Sequence, residues 1–483
     1  MKLTSSKILA SASFARSKAR LLHSIPALPF MRAKEAGSLT VDERSFRNPK
    51  LREAALISYK TVADLAGKGA LFAITVFAAR RLAPEAFGVF SLGSTLGWIV
   101  AVASDFGIQL HLARAVARAP HAAPQLLATW LRVRLWLAAA AMLLVVTTLA
   151  LLGSRAPFAA PVAVLTLVYA VSGLIELLHY FYRGLSRSDI ESTLTLWQRT
   201  STLVCGLLAL ALWPTVTALA FAMLLPAACT LGASVRIARR LSLAEGAGLR
   251  DTTKSAEVSA AVNTDRARLA GLAAWPIFAR EIWPIGAGIV LSALYFRIDV
   301  FLVQWWSGSE LVALYNAVFR LVEALRLFPA AVIAVALPSL CRAVDLRPLV
   351  RIAAPITGCA VLAAGVLWFA AGVLVPFIYG EPYTGAVASF RILLLSFPLM
   401  ALNLALTHQL IGWHGERAYA VICAIALAVN LAINARLIPA WSIEGAAWAT
   451  VATELLLTAG CAAVLWSMAT RLTGTVAEDV VMG

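Results

Sequence analysis

The sequence predicts an all-α integral membrane protein, with about 12 transmembrane helices in two six-helix bundles around a central cavity. Three observations lead there. The 483 residues are 61% hydrophobic and only 14% charged, whereas a soluble domain is about half apolar and about a quarter charged. The apolar excess falls into some twelve segments between Leu56 and Met468, each near the length of one bilayer crossing. The two halves also echo each other. Glu85-Ala86-Phe87-Gly88-Val89-Phe90 follows the first segment, and Glu310-Leu311-Val312-Ala313-Leu314-Tyr315 follows the seventh at an offset of 225. An even number of spans per half makes such repeats parallel in topology.

Residues 1–55 read as a basic arm on the cytoplasmic surface. They hold eleven Lys/Arg with no acid before Glu35. Pro26 and Pro29 interrupt the apolar run that a signal peptide needs. Ile8, Leu9, Phe14, Leu21 and Leu22 would give a short stretch an interfacial face; a translation start at Met31 is the competing reading. Spans are expected at 56–79, 87–109, 130–152, 158–181, 194–213, 215–237, 280–306, 310–338, 351–378, 387–411, 416–438 and 443–468. Helices are expected because a helix satisfies its own backbone in lipid. A polar segment, 238–279, separates six spans from six. The expected organisation is thus an N-terminal lobe at 56–237, a cytoplasmic linker at 238–279, a C-terminal lobe at 280–468 and a cytoplasmic tail at 469–483.

Net charge is +16, with 41 Lys+Arg. Most of these bases fall in the arm and alternate loops, and only Arg80, Arg81, Arg155 and Arg436 fall in the opposite set. This positive-inside asymmetry places both termini in the cytoplasm. The basic balance therefore reports orientation and contact with anionic lipid headgroups, and nucleic acid is not an expected partner. The six cysteines form no CxxC or Cys/His cluster and read as small buried hydrophobes.

Charge inside a span marks function by default. Lys60, Asp64 and Lys68 are spaced by four in the first span and share one helix face. On one reading the stripe lines the cavity and holds an anionic headgroup, with Asp64 a cation or proton site; on the other, Lys60 snorkels and the others pair. Arg297 and Asp299, two apart in the seventh span, point in nearly opposite directions, so they cannot form one simple pair, and at least one must find a partner on another helix or face water. The eighth span carries Asn316, Arg320, Glu323 and Arg326, either facing the cavity or forming a self-contained ion-pair ladder. Arg199 and Arg391 sit near span ends. Glu176 with His179, and Glu454, are further cavity candidates. Asn430 and Asn434, one turn apart in the eleventh span, suit bonding across helices, with a substrate path as the alternative.

Catalytic constellations are absent. There is no GxSxG, P-loop or HExxH, and no histidine pair with metal-ligand spacing. No enzyme activity, cofactor or metal is expected. Without an ATP motif, transport would be driven by an ion gradient or a partner, or be passive.

Several of these segments resemble a known family. Arg81-Leu82-Ala83-Pro84-Glu85-Ala86-Phe87-Gly88, Asp105-Phe106-Gly107-Ile108, Phe296-Arg297-Ile298-Asp299, Leu314-Tyr315-Asn316-Ala317 and the run from Asn430 through Leu437-Ile438-Pro439 to Glu444-Gly445-Ala446-Ala447 are similar to polysaccharide flippases of the Wzx type. These belong to the multidrug/oligosaccharidyl-lipid/polysaccharide exporter superfamily. The likeness covers about 56–468, departs at Ala313 where glycine is usual, and leaves the basic arm unexplained. It implies a two-lobed flippase working by alternating access in the bacterial inner membrane. The substrate would be an undecaprenyl-diphosphate-linked oligosaccharide, and the partners membrane lipids and other polysaccharide-assembly proteins. The physics agrees, since a glycan and a diphosphate are too polar for hydrocarbon and need a hydrated, cationic cavity. The rival is a cation-coupled multidrug extruder of the same superfamily, which the net positive interior disfavours. A membrane enzyme would carry a large outer loop, which is missing here, and a scaffold would have little use for internal charge.

Overall fold

A computed structural model describes residues 49–153, 158–250, 283–343 and 345–482. The arm up to residue 48, the start at Met31 and the linker beyond residue 250 lie outside the described residues. Tyr59–Gly483 forms one contact unit; of the unit Met1–Ser58 only the helical backbone from Pro49 is described.

The described chain is helical throughout. In order come α1 (Pro49–Arg81), α2 (Pro84–Asp105), the short α3 (Ile108–Arg118), α4 (Ala123–Leu152), α5 (Ala159–Gly184), α6 (Ser188–Leu212) and α7 (Val216–Arg250). The second half holds α8 (Trp283–Leu325), α9 (Leu327–Cys341), α10 (Arg347–Tyr379), α11 (Val387–Gly412) and α12 (Glu416–Met482). Nine helical stretches among the described residues are long and apolar enough to cross a bilayer. The count of nine differs from twelve for a simple reason. α8 turns back at Gly308 (φ 85°) and α12 at Ser442 (φ 49°), so each is a hairpin of two crossings written as one helix. With α6, every expected span has its helix.

The hairpins fold where the sequence allows positive φ. Gly308 has no Cβ to resist the left-handed region. At the other turn the strained residue is Ser442, and relief comes from Gly445, whose missing Cβ lets the second arm press onto the Leu437 carbonyl. The second expected span ends early. Phe106 adopts a left-handed conformation (φ 46°) and Gly107 follows (φ 82°). The Asp105 carboxylate then accepts the amides of Gly107 (3.2 Å) and Gln109 (3.3 Å), capping α3. α3 buries Ile108, Leu112 and Val116 and leaves Arg114 and Arg118 exposed, as an amphipathic helix at a bundle end does.

Burial is inverted relative to a soluble protein. Trp136 and Phe369 are 78% and 79% exposed, while Arg134, Asp299, Arg297 and Glu454 are buried. Lipid, not water, is the solvent such a surface suits.

α1, α2 and α4–α7 form one bundle, and α8–α12 the other. They meet along α2 and the first arm of α8, which run antiparallel for their whole length. At the end where α1 turns into α2, here the upper end, Gly88 lies against the backbone of Ser309 with no room for a Cβ. At the lower end Phe106 covers Gly286 and packs on Trp283 at a ring distance of 5.3 Å. A second upper contact joins α1 to α10. Arg80 donates to the Ile378 carbonyl at 2.7 Å and to the Phe377 carbonyl, two acceptors left free at the C-terminus of α10. The seam carries an open pocket of about 320 Å³ lined by Arg80, Pro84, Tyr379 and Tyr383.

Candidate functional site

The densest charge cluster sits in the α8 hairpin. The turn at Gly308 brings the two arms side by side, so residues far apart in sequence pair across it. Arg297 donates to Asn316 Oδ1 at 3.0 Å and to Glu323 Oε2 at 2.8 Å. Arg320 donates to the same Glu323 oxygen at 2.8 Å. Asp299 takes the Tyr315 hydroxyl and the Val300 amide, and Tyr315 reaches Thr450 on α12 at 3.2 Å. Arg297 and Asp299 thus do not pair with each other, as their spacing requires, and each finds its own partners.

The eighth-span ladder is not self-contained. Glu323 is shared between Arg297 and Arg320, while Arg326 places its guanidinium 4.5 Å from the Phe296 ring centre. Arg297 and Arg320 therefore share one glutamate, Arg326 stands beside them on the Phe296 ring, and the three arginines outnumber the two nearby acids, Glu323 and Asp299. The members of this cluster differ in exposure. The Arg297 side chain is 3% exposed, whereas Arg320 and Glu323 are 25% and 35% exposed. Arg297 backs the site, and Arg320 and Glu323 form its open face. Arg320 lies within electrostatic reach of Tyr169 on α5 in the other bundle and of Tyr379 on α10, and its Nε has no hydrogen-bond partner. An arginine with a free donor stands where the two bundles meet.

The first-span stripe is split. Lys60 lies 3.4 Å from Glu191 Oε1 on α6, and Arg183 of α5 grips the same carboxylate through Nε and Nη2. Lys60 thus belongs to a lower-end network tying three helices together, apart from the arginine cluster. Asp64 and Lys68 are exposed on α1. Asp64 is within reach of Arg199, whose stem packs on Gly67 one turn further along. Asn430 donates to Thr453 at 3.0 Å and Asn434 to Asn430 Oδ1 at 2.9 Å, stitching the two arms of α12 together.

One buried group escaped sequence reasoning, and so did the setting of a second. Arg134 is 2% exposed in α4; its Nη2 donates to the Ala101 carbonyl at 2.8 Å, while Nε and Nη1 have no partner. The expected span began at 130, and Arg134 was not singled out within it. The helix in fact begins at Ala123, so Arg134 is three turns inside it. Asp105 and Glu176 lie within its electrostatic reach. Glu454 was named as a candidate, but its partner was not. It is 3% exposed and accepts Asn403 Nδ2 of α11 at 2.7 Å. No group of three or more His, Cys, Asp or Glu among the described residues could hold a metal ion.

Comparisons with known proteins agree with this architecture. No curated protein sequence matches. The fold is similar to a multidrug resistance MATE family transporter of the MOP superfamily in its inward-facing conformation: 14% identity, 86% of this chain and 95% of that chain covered, TM-score 0.61. It is also similar to the lipid II flippase MurJ in an inward closed conformation, at 10% identity with 86% and 89% covered and a TM-score of 0.59. A third similar structure is the Vibrio cholerae MATE transporter VcmN, at 14% identity with 87% and 98% covered and a TM-score of 0.55. In sequence, residues 55–344 match the family described as polysaccharide biosynthesis protein. This multi-pass membrane chain therefore belongs to the polysaccharide biosynthesis protein family.

Proposed function

We propose that the protein is a flippase. It moves an undecaprenyl-diphosphate-linked oligosaccharide from the cytoplasmic to the outer leaflet of the bacterial inner membrane by alternating access. The carrying observation is the pairing of Arg297 and Arg320 on Glu323 with Arg326 beside them on the Phe296 ring, a cluster open at Arg320 where the bundles meet. Guanidinium groups bind phosphate oxygens in pairs, and they bind more tightly away from bulk water. A diphosphate between the bundles would meet Arg320 first, while the prenyl chain stays in lipid. With the positive-inside orientation, the upper seam at Arg80 and Gly88 faces outward and is shut. The membership in a polysaccharide biosynthesis family supports the glycan. Membrane lipids and other polysaccharide-assembly proteins are the expected partners, and the chemistry is transport, not catalysis.

The test is to delete the gene and follow the lipid-linked intermediates. Accumulation on the cytoplasmic face, restored to normal by the wild-type chain and not by Arg320→Ala, is the expected result. Unchanged intermediates with altered drug sensitivity would replace this reading with a cation-coupled extruder, for which Asp64 beside Arg199 would serve as the coupling acid.

A further inference from the structure

The mechanism above leaves one buried acid unused. Glu454 lies on the second arm of α12, in the interior of the second bundle, at 3% exposure. Among the described residues no lysine, arginine or histidine comes within ion-pair distance of it. Its neighbours are specific. Asn403 Nδ2 donates to its Oε2 at 2.7 Å and to its backbone carbonyl at 2.9 Å. Thr458 donates to Asn403 Oδ1 at 2.8 Å, which fixes the amide so that its NH2 faces the carboxyl. The titratable groups around it are Tyr295 and Arg326 from α8, Cys423 from the first arm of α12, and Cys461 of its own arm, with Tyr419 behind Tyr295 and Cys423. Only Arg326 carries a fixed charge. That arginine is also within electrostatic reach of Glu323, the acid at the centre of the arginine cluster.

From this arrangement we infer that Glu454 is a proton-binding site, and that Arg326 links its charge to the anion site formed by Arg297, Arg320 and Glu323. The inference rests on the reading of that cluster as a diphosphate site. The ligand is a proton and not a metal ion because the oxygens do not converge. Asn403 presents its nitrogen to the carboxyl, and its oxygen is occupied by Thr458. A lone carboxylate inside a membrane bundle is expensive. Taking one proton from water removes that charge and changes no other bond. Arg326 then loses the one acid on its far side, so its positive charge acts more fully on the cluster. Proton and anion should therefore favour each other's binding, and the coupling is reciprocal.

The full-length protein in detergent tests this with farnesyl diphosphate as probe. Its affinity is measured between pH 5.5 and 8 in sodium-free buffer, and proton uptake is followed in weak buffer. Wild-type binding should tighten as pH falls, by up to about tenfold per pH unit, the limit for one linked proton, with net uptake on binding. Glu454→Gln should bind at all these pH values with the steeper part of that slope gone. Arg326→Gln, which leaves the carboxyl in place, should bind more weakly and also lose the extra slope. The probe's own ionisation is common to all three proteins and cancels in the comparison. A slope unchanged in Glu454→Gln, or tightening by sodium at fixed pH, overturns the proton site while leaving the anion site standing. Absence of probe binding to the wild type at every pH overturns the anion site, and this inference with it.

Discussion

Arg297 holds its place through geometry that lysine cannot copy. One guanidinium reaches both Asn316 and Glu323, from two nitrogens of a planar fork. Replacing it by alanine leaves Asn316 without that donor and cuts Glu323 to one cation. Breaking a buried pair of this kind costs about 3–5 kcal/mol. Arg297→Ala should therefore lower the melting temperature of the purified protein in detergent as well as glycan export, and Arg297→Lys should restore neither fully. Lys68→Ala, exposed on α1, should reduce export and leave the melting temperature unchanged. A wild-type export level in both variants would remove the cationic-site argument. At this level the sequence was partly legible. The two-residue offset of Arg297 and Asp299 ruled out one simple pair, and the structure gives each its own partners. The partner of Glu454 was not legible, because Asn403 lies on another helix and nothing in local spacing points to it. The partner of Lys60 was not legible for a related reason: its acid, Glu191, stands at the foot of α6, beyond the reach of helical periodicity.

Elements turn on a few residues whose backbone is forced. Gly445 packs against the Leu437 carbonyl at the turn of α12. A Cβ there must push the two arms apart, and overpacking of this kind costs about 1–3 kcal/mol. Gly445→Ala should lower the detergent melting temperature, whereas Gly358→Ala, in α10 with open space around it, should not. Equal melting temperatures would show that the hairpin relaxes freely. The hydropathy pattern alone located the twelve crossings, since apolar length is a property of the local chain. It could not separate an 18-residue apolar core from the helix that carries it. α4 starts at Ala123, seven residues before the expected edge, and α7 continues to Arg250, past the expected boundary at 237. Helix ends in such a chain are set by capping and by neighbouring helices, not by hydropathy.

The whole molecule is held shut at its upper end by polar, glycine-based and aromatic contacts together, the last being Phe87 packed edge-on against Tyr383. Arg80 binds the last carbonyls of α10, and Gly88 lets the backbone of Ser309 approach α2. The Arg80 bonds can be broken without disturbing the buried Phe87–Tyr383 packing beside them. Arg80→Ala should shift the population toward conformers open at that end. A cysteine placed at Tyr383, buried in the seam, should then react faster with a membrane-impermeant maleimide added from outside. No change in labelling would mean that the glycine contact alone keeps the seam closed. The internal repeat already implied two facing bundles. Which surfaces touch, and at which end, depends on pairings between halves that a single sequence does not display.

The α8 hairpin has a consequence for how the chain enters the membrane at all. A helix that carries an arginine or an aspartate near its centre is penalised by about 2.5–3.5 kcal/mol per charge when it partitions alone from the insertion machinery into lipid. The first arm of α8 carries Arg297 and Asp299, and the second carries Arg320 and Glu323. Yet Glu323, Asn316 and Tyr315, which satisfy the first arm, are all made within about thirty residues of it on the ribosome. If the turn at Gly308 forms while both arms are still sheltered, the pair can leave for the bilayer as a unit with its charges matched. The charges that serve the transport cycle would then place a demand on biosynthesis first: Glu323→Ala should strand the preceding arm, visible as a glycosylation-tag topology defect before any loss of export is measured.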